Sequence, residues 1–119
     1  MPIGPLKDFA TDAACPLDHV RVLDLTRLVA GNQVSALLAD FGAEVIKIEP
    51  LDGDPLRSWG AGGHPVQWKI YGRNKKSVPM NLRDDRAKEL LLKLVETADV
   101  FIENYRVGGL ERMGLSPEI

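Results

Sequence analysis

Hydrophobic and polar positions along the chain follow two periods, one typical of strands and one typical of helices. Two runs rich in β-branched and aliphatic residues, Val20–Leu25 and Glu44–Glu49, predict strands. Between them, apolar residues fall at the i, i+3, i+4, i+7 spacing of one helical face: Val34, Leu37, Leu38 and Phe41. Asn32 is the predicted N-cap of this helix and Gly42 the residue that follows it. Strand, helix and strand within about 30 residues predict a βαβ unit with parallel strands and a right-handed crossover.

The same pattern repeats in the second half of the chain. Ser77–Leu82 predicts a strand, which Pro79 places at a sheet edge or a bulge. Asp84 is the predicted N-cap of a helix with an apolar stripe formed by Ala87, Leu90, Leu91, Leu94, Val95 and Ala98. Val100–Ile102 predicts a short buried strand. This alternation predicts the α/β class, with an open parallel sheet built from Rossmann-like βαβ units. In such sheets ligands bind outside the carboxyl ends of the strands.

Three segments are interpreted by composition rather than by period. Residues 1–18, with several prolines, predict an irregular N-terminal arm, so the α/β domain is assigned to residues 19–119. Residues 51–74 form a glycine-rich loop whose aromatic residues are expected to pack on something. Gly108–Met113 predicts a helical turn, and Ser116 with Pro117 predicts the start of another helix. Because the chain ends where that helix would begin, we expect the domain to be incomplete.

Composition excludes several classes of protein. The 119 residues are 45% hydrophobic and carry a formal net charge of −2, which argues for a folded chain and against a dedicated nucleic-acid binder. No apolar run approaches the ~20 residues that cross a bilayer, and the first residues do not resemble a secretory signal. We therefore expect a cytoplasmic protein that does not bind membranes. The single cysteine, Cys15, excludes an internal disulfide and a multi-cysteine zinc site within this sequence.

Charge is unevenly distributed. From Pro55 to Arg83 every charged residue is basic: Arg57, Lys69, Arg73, Lys75, Lys76 and Arg83. Arg27 follows the first predicted strand, and Arg106 and Arg112 follow the last. In a net acidic chain this grouping predicts a site for a small polyanion, since phosphates favour guanidinium forks, ammonium groups and helix N-termini. Nearby aromatic rings could hold a flat base, so a nucleotide with several phosphates fits both features.

Motifs of the common nucleotide binders and hydrolases are missing from the sequence. There is no P-loop motif, and the turn Thr26–Asn32 lacks the G-x-G-x-x-G fingerprint. His19 and His64 are isolated, Cys15 lies in the arm, and Asp24 is interpreted as balancing neighbouring charges. The residues alone therefore predict an anion-binding α/β module without an evident nucleophile or metal site.

Five segments, in their order and spacing, resemble the family III CoA-transferases, the group that includes formyl-CoA and carnitine CoA-transferases. They are Val22–Arg27 with Ala30-Gly31, Leu38–Glu49, Asn74–Val78, Ala98–Arg106 and Leu110–Leu115. The resemblance runs from about Leu17 to the end of the chain. It implies that the chain is the N-terminal part of a larger protein whose fold is an interlocked homodimer.

The resemblance also implies an activity, namely moving CoA between an acyl-CoA thioester and a free carboxylic acid. Coenzyme A is then a substrate, with no permanently bound cofactor. The family uses an aspartate nucleophile that forms anhydride and enzyme–CoA thioester intermediates, and the resemblance puts it beyond Ile119. No catalytic residue is therefore expected within these 119 residues, and the chain alone is expected to be inactive.

The resemblance assigns CoA contacts to the strand-end loops and to several basic residues. These residues are Arg27, Leu28, Val29, Ala30, Lys75, Met80, Asn81, Leu82, Arg83, Asn104, Tyr105, Arg106 and Arg112. Two positions depart from the family pattern. Asn32 stands where the family often has proline, and Pro50 stands where some members have an arginine that touches the nucleotide. That contact is either lost or taken over by Arg57 or Arg73.

Two other interpretations stay open from the sequence. One is an α-methylacyl-CoA racemase of the same family, which would abstract a proton beside the thioester with downstream residues. The segment Arg57-Ser58-Trp59-Gly60 looks more like the transferases. The other is a non-enzymatic module that binds CoA or a nucleotide. The sequence assigns neither the acyl donor nor the acceptor.

Overall fold

The computed structural model of the chain describes residues 10–60 and 65–116, together with Gly4 and Asp8. His64, most of residues 1–9 and the helix predicted to begin at Ser116 and Pro117 lie outside the described residues, apart from Ser116 itself. Within the predicted arm, residues 10–18 form turns without a helix or strand. The backbone N–H of Leu17 donates to the carbonyl of Phe41 at 3.0 Å, which ties this segment to the body of the fold.

Four parallel strands form one sheet, as the sequence pattern predicts. They are β1 (Arg21–Asp24), β2 (Glu44–Glu49), β3 (Lys75–Pro79) and β4 (Val100–Ile102), in the order β3-β2-β1-β4. Strand β1 pairs with both β2 and β4, and β2 pairs with β3. The edge position predicted from Pro79 is confirmed, since β3 is an outer strand.

The third strand is shifted from its predicted bounds. It begins at Lys75 rather than Ser77 and ends at Pro79 rather than Leu82. The chain turns after Met80 because Asn81 closes a local turn. Its carbonyl accepts from the Asp84 N–H at 2.9 Å, and its side-chain oxygen accepts from the Arg83 N–H at 3.3 Å.

Three α-helices connect the strands: α1 (Leu28–Asp40), α2 (Val66–Tyr71) and α3 (Asp85–Val95). Short 3₁₀ turns occur at Pro55–Ser58 and Glu111–Met113. The N-cap predicted at Asp84 is confirmed, because its carboxylate accepts from the Arg86 N–H at 2.8 Å. Gly42 follows α1 with a φ of +101°, as predicted for the residue after a helix.

The predicted N-cap at Asn32 is wrong. Helix α1 begins four residues earlier, at Leu28, and Arg27 occupies the N-cap position. Asn32 lies inside the helix and is fully buried. Its side chain bonds to the Leu28 carbonyl and to the Asp54 carboxylate, so a distant residue uses the polar group that the sequence pattern assigned to a cap.

Helices cover both faces of the sheet, and each face has its own core. On one face, Val22 and Val45 pack beneath α1 with Ala39 and Ala43. On the other, the core consists of Leu23, Leu25, Ile48, Leu91 and Leu115, and Leu91 belongs to α3. This two-sided arrangement is the doubly wound α/β architecture that alternating elements predict.

The buried side of α1 is not the predicted one. Val34, Leu37 and Phe41 are at least half exposed, whereas the buried residues are Gly31, Asn32, Ser35, Ala36 and Ala39. The sheet face below α1 carries the charged residues Asp24 and Lys47, which need polar partners rather than aliphatic ones. Small residues also let the helix approach the sheet closely.

Strand β4 is less buried than predicted. Val100 and Phe101 are each more than a third exposed, because β4 is the other outer strand of the described sheet. Residues 51–74, predicted to be a loop, contain α2 and the 3₁₀ turn at Pro55–Ser58. Within this segment the Arg57 guanidinium lies 3.9 Å from the centre of the Trp68 ring, and α2, which carries Trp68, packs against α1. Among the described residues, no helix is long and apolar enough to span a bilayer.

Candidate functional site

A cleft of about 560 Å³ opens at the carboxyl ends of the strands. The loops that follow all four strands contribute to its lining. The lining residues are Arg27, Ile48, Glu49, Pro50, Leu51, Asp52, Met80, Asn81, Leu82, Arg83, Tyr105 and Met113. The structure thus brings together six of the predicted site residues, namely Arg27, Met80, Asn81, Leu82, Arg83 and Tyr105.

The cleft combines two arginines with an aromatic ring and an apolar wall, and its lining also includes the carboxylates of Glu49 and Asp52. The Arg27 guanidinium lies 5.2 Å from the centre of the Tyr105 ring, and Arg83 contributes a second cation. Met80 and Met113 supply apolar surface. Two guanidinium groups beside a flat ring and an apolar wall suit an anionic ligand that carries an aromatic base.

Asn104 supports the cleft by joining two of its loops. The Arg27 N–H donates to the Asn104 side-chain oxygen at 2.9 Å, and the Asn104 side-chain amide donates to the Arg27 carbonyl at 2.9 Å. This pair of bonds connects the loop after β1 to the loop after β4. Among the predicted residues, Asn104 therefore acts on Arg27 rather than lining the cleft.

The predicted residues Leu28, Val29 and Ala30 form the first turn of α1. The side chain of the N-cap residue, Arg27, makes no capping hydrogen bond, and the first turn contains no acidic residue. Leu28 has a φ of 63°, an unusual left-handed conformation for a leucine. The turn after β1 is therefore sharp, and it places the N-terminus of α1 beside the carboxyl end of its strand.

The remaining basic residues of the prediction lie at different distances from the cleft. Arg106 is exposed in the loop after β4, and Arg112 precedes the lining residue Met113. Lys75 is elsewhere, because its side chain is 1% exposed and points under α1. Its ammonium group donates to the Asn32 carbonyl at 2.9 Å and contacts the Asp24 carboxylate at 3.3 Å.

Lys75 belongs to a group of four charged residues that we call the buried ionic cluster: Asp24, Lys47, Asp54 and Lys75. The Lys47 ammonium lies 3.4 Å from carboxylate oxygens of both Asp24 and Asp54. It also donates to the Thr26 carbonyl. The two positive and two negative charges balance, which is the condition for placing charges in a protein interior.

Hydrogen bonds and neighbouring charges change the pKa values in this region. Burial alone would raise the pKa of Asp24, but the Lys47 charge, hydrogen bonds from Ser35 and Thr26, and the Lys75 charge together lower it. Burial lowers the pKa of Lys75, and the charge of Lys47 adds to this effect while Asp24 and Asp54 oppose it.

Glu49 anchors the loop after β2. Burial would raise its pKa, but hydrogen bonds from Arg57, Ser77 and the Asp54 backbone lower the pKa to about 2. Two nitrogens of Arg57 donate to the two carboxylate oxygens, at 2.8 and 2.7 Å. Arg57, one of the two residues expected to replace the family arginine at position 50, therefore has a buried anionic partner. Arg73, the other, is paired with Asp40.

Lys47, Glu49 and Asp54 have no role in the predictions from sequence. A usable signal was present for the first two, since a lysine and a glutamate alternate with isoleucines in the second half of β2. Asp54 gave no such signal, because it lies in a loop. Within residues 10–60 and 65–116, no group of three His, Cys, Asp or Glu side chains is arranged to hold a metal ion.

Comparison with known proteins gives consistent matches. The sequence profile of CoA-transferase family III matches residues 17–119, which begins where the resemblance was expected to begin. The succinyl-CoA–D-citramalate CoA-transferase of Chloroflexus aurantiacus is 48% identical over 107 residues, which are 87% of this chain and 27% of that protein. The succinyl-CoA:glutarate CoA-transferase of Mus musculus is 44% identical over 90% of this chain and 26% of its own length.

Solved structures agree in fold as well as sequence. The crystal structure of the protein Rv3272 from Mycobacterium tuberculosis has a TM-score of 0.82 and 43% identity, covering 88% of this chain and 29% of that one. A CAIB/BAIF family protein from Brucella suis has a TM-score of 0.82 and 39% identity, covering 87% of this chain and 29% of that one. The chain therefore spans somewhat more than a quarter of the length of these relatives.

Proposed function

Because this chain belongs to CoA-transferase family III, we propose that its strand-end cleft binds coenzyme A for a transferase that moves CoA from an acyl-CoA thioester to a free carboxylate. The observation that carries the proposal is the cleft itself. It lies at the carboxyl ends of parallel strands and combines Arg27, Arg83 and Tyr105. The cations match the phosphates of CoA, and the ring matches its adenine.

The transfer requires a carboxylate nucleophile that can reach the thioester. Asp24 and Asp54 are buried and paired with lysines, so neither is available to attack a thioester. We propose that the full-length protein contains additional chain beyond Ile119, and that an aspartate there is the nucleophile. Its carboxylate would attack the thioester carbonyl and release the CoA thiolate, leaving an acyl anhydride on the enzyme.

The remaining steps return the carboxylate to its starting form. The CoA thiolate attacks the aspartyl carbonyl of the anhydride and displaces the first carboxylate product. The acceptor carboxylate then attacks the resulting aspartyl–CoA thioester, which forms a second anhydride and releases the CoA thiolate. The thiolate attacks the acceptor acyl carbonyl of this anhydride, which gives the new acyl-CoA and frees the aspartate carboxylate. CoA is a substrate throughout, and no permanently bound cofactor takes part. We further propose that the full-length protein acts as a homodimer in the cytoplasm.

Relatives suggest which substrates to test first. The two transferases described above, from Chloroflexus aurantiacus and Mus musculus, are named for succinyl-CoA with D-citramalate and with glutarate. We therefore propose succinyl-CoA as the first donor, with citramalate, malate and glutarate as acceptors. Transfer of CoA to one of these acids by the full-length protein tests the reaction class.

The CoA site is tested by replacing a cation of the cleft. Arg83→Ala in the full-length protein should weaken CoA binding about tenfold or more, since a hydrogen bond to a charged group contributes roughly 1.5–3 kcal/mol. The dissociation constants for CoA and dephospho-CoA, measured by titration calorimetry at two salt concentrations, check this. If Arg83 contacts the 3′-phosphate, the loss should be smaller for dephospho-CoA.

Lys93→Ala is the matched control. It also removes one exposed positive charge, but it lies in the last turn of α3, at the opposite end of the helix from the cleft. It should leave CoA binding unchanged at both salt concentrations. If Arg83→Ala binds CoA like the wild type, Arg83 does not contribute to CoA binding. If Lys93→Ala weakens binding equally, Arg83 acts only through the general electrostatic field of the surface.

A further inference from the structure

The turn after β1 is held in an unfavourable backbone conformation. Leu28, the first residue of α1, has a φ of 63°. A side chain at Cβ makes this left-handed region costly for every residue except glycine, so it persists only where neighbouring groups hold it. The preceding residue, Arg27, lines the cleft, and the geometry of this turn therefore sets where its guanidinium lies.

Asp54 and Asn32 provide the groups that hold Leu28. The Leu28 N–H points to one Asp54 carboxylate oxygen at 3.4 Å. The Leu28 carbonyl accepts from the Asn32 side-chain amide at 2.5 Å, and that amide also donates to the other Asp54 oxygen at 2.9 Å. Both polar groups of the Leu28 backbone are thus connected, directly or through Asn32, to one carboxylate.

Asp54 is itself fixed from the opposite side. Its backbone N–H donates to the Glu49 carboxylate at 2.7 Å, and its side chain accepts from the Leu56 N–H at 2.9 Å. The residue is 2% exposed, so water does not compete for its oxygens. A single carboxylate therefore joins the loop after β2 to the turn after β1.

We propose that Asp54 is a positioning residue for coenzyme A: it holds Leu28 in its left-handed turn and so keeps Arg27 facing the cleft. The inference rests on the proposed function, since it assumes that the cleft takes CoA. Without Asp54, Leu28 relaxes toward an ordinary φ. The binding-competent turn is then populated only part of the time, which raises the apparent dissociation constant in inverse proportion to the populated fraction.

A purely structural role makes a different prediction. Asp54 also lies 3.4 Å from Lys47, so its removal leaves a buried ammonium with one carboxylate fewer. If neutralising Lys47 were its only contribution, nothing done at Leu28 would change the effect of removing Asp54. If Asp54 acts through the turn, a glycine at position 28 should make it dispensable for binding, because glycine adopts positive φ without support.

The experiment is a double-mutant cycle in the full-length protein, with CoA as the titrated ligand and succinyl-CoA in the kinetic assay. Asp54→Ala should raise the Kd for CoA about tenfold, and it should raise KM more than it lowers kcat. In the Leu28→Gly background, the same substitution should raise Kd less than about threefold. Asn74→Gly is the control background, because Asn74 also has a positive φ, of 58°, but does not line the cleft. In the Asn74→Gly background, Asp54→Ala should again raise the Kd for CoA about tenfold.

Each outcome decides for or against the inference. An equal effect of Asp54→Ala in all three backgrounds overturns it and leaves charge balance as the role of Asp54. The inference is also overturned if Asn74→Gly reduces the effect of Asp54→Ala on the Kd as much as Leu28→Gly does. That result would reflect a general change in the stability of the protein. If Asp54→Ala does not fold, Asp54→Asn is carried through the same cycle and judged by the same comparison. A wild-type protein that binds no CoA contradicts the proposed function itself, which separates that failure from failure of the cycle.

Discussion

At the scale of single residues, Glu49 shows how hydrogen bonding overcomes the cost of burying a charge. Its carboxylate is almost fully buried, yet its pKa is lowered to about 2 from an ordinary value of 4.5. Arg57, Ser77 and the Asp54 backbone all donate to it. The ionised form is therefore bound more strongly in the folded protein than in the unfolded chain, and folding is linked to pH.

Glu49→Gln should destabilise the protein in a pH-dependent way. A carboxylate with a lowered folded-state pKa stabilises the fold above its unfolded pKa and loses this effect as pH falls toward the folded value. The shift corresponds to about 3 kcal/mol of unfolding free energy at pH 7, falling to about half of that at pH 3. Urea unfolding of the full-length wild type and variant at both pH values measures the difference.

Glu89→Gln controls for the loss of a carboxylate in general. Glu89 is exposed on α3 and should change the unfolding free energy by less than about 0.5 kcal/mol at either pH. A difference between Glu49→Gln and the wild type that stayed constant from pH 7 to pH 3 would contradict the linkage. It would point to altered packing of the glutamine instead.

At the scale of elements, helix α1 shows what the sequence pattern predicts and what it misses. The helix, its flanking strands and Gly42 at its end follow from local periodicity and turn chemistry. The buried face does not, because Ser35 and Asn32 are drawn inward by Asp24, Lys75 and Asp54, whose positions depend on the pairing of three strands. Local patterns carry no information about partners 11 to 43 residues away.

The candidate site divides in the same way. The strand-end loops that line the cleft follow from topology, which brings Arg27, Arg83 and Tyr105 to the same cleft. Their role as CoA contacts comes from the family resemblance and stays a prediction. The buried position of Lys75 was not predicted from the sequence, because a lysine in a basic stretch resembles a surface residue. Only the register of the sheet places it under α1. Asp54 was missed because a loop aspartate has no periodicity.

Gly31→Ala should separate α1 from the sheet. A Cβ at Gly31 would lie 2.3 Å from the Thr26 Cβ, an atom that cannot rotate away, and Thr26 is itself bonded to Asp24. Overpacking of this kind costs about 1–3 kcal/mol, so the melting temperature of the full-length protein should fall by several degrees. Differential scanning fluorimetry measures it.

Gln33→Ala is the comparison within the same helix. Gln33 is exposed, and alanine has a high helix propensity, so the variant should melt within about 2 °C of the wild type. If the Gly31→Ala and Gln33→Ala variants have the same melting temperature, α1 does not depend on close contact with Thr26.

At the scale of the whole molecule, the chain leaves apolar surface uncovered. Val34, Leu37 and Phe41 form an exposed stripe on α1. Helix α2, which packs against α1, adds Val66 and Ile70. Solvent-exposed apolar patches of this kind mark surfaces that contact other protein, and the relatives are more than three times longer than this chain.

The 119-residue chain studied by itself should therefore self-associate. Leu37→Ser combined with Phe41→Ser should shift it toward the monomer, because the change removes apolar area without touching the buried side of α1. Sedimentation velocity over a concentration series measures the distribution. Val107→Ser is the control, since Val107 is fully exposed and lies outside the stripe. A monomeric chain with a sharp two-state melt would contradict this expectation.

The charges on β2 also select the alignment of the sheet during folding. Lys47 lies opposite Asp24 on the α1 side, and Ile46 and Ile48 face the α3 side. A slip of one residue between β1 and β2 would turn Lys47 and Glu49 into the aliphatic layer around Leu91, with no partners for either charge. A purely apolar strand loses little when it slips by one residue along its neighbour. In this sheet the same slip would bury two charged side chains without partners. We therefore expect Lys47 and Glu49 to disfavour the misaligned register during folding, an effect separate from any net gain in native stability.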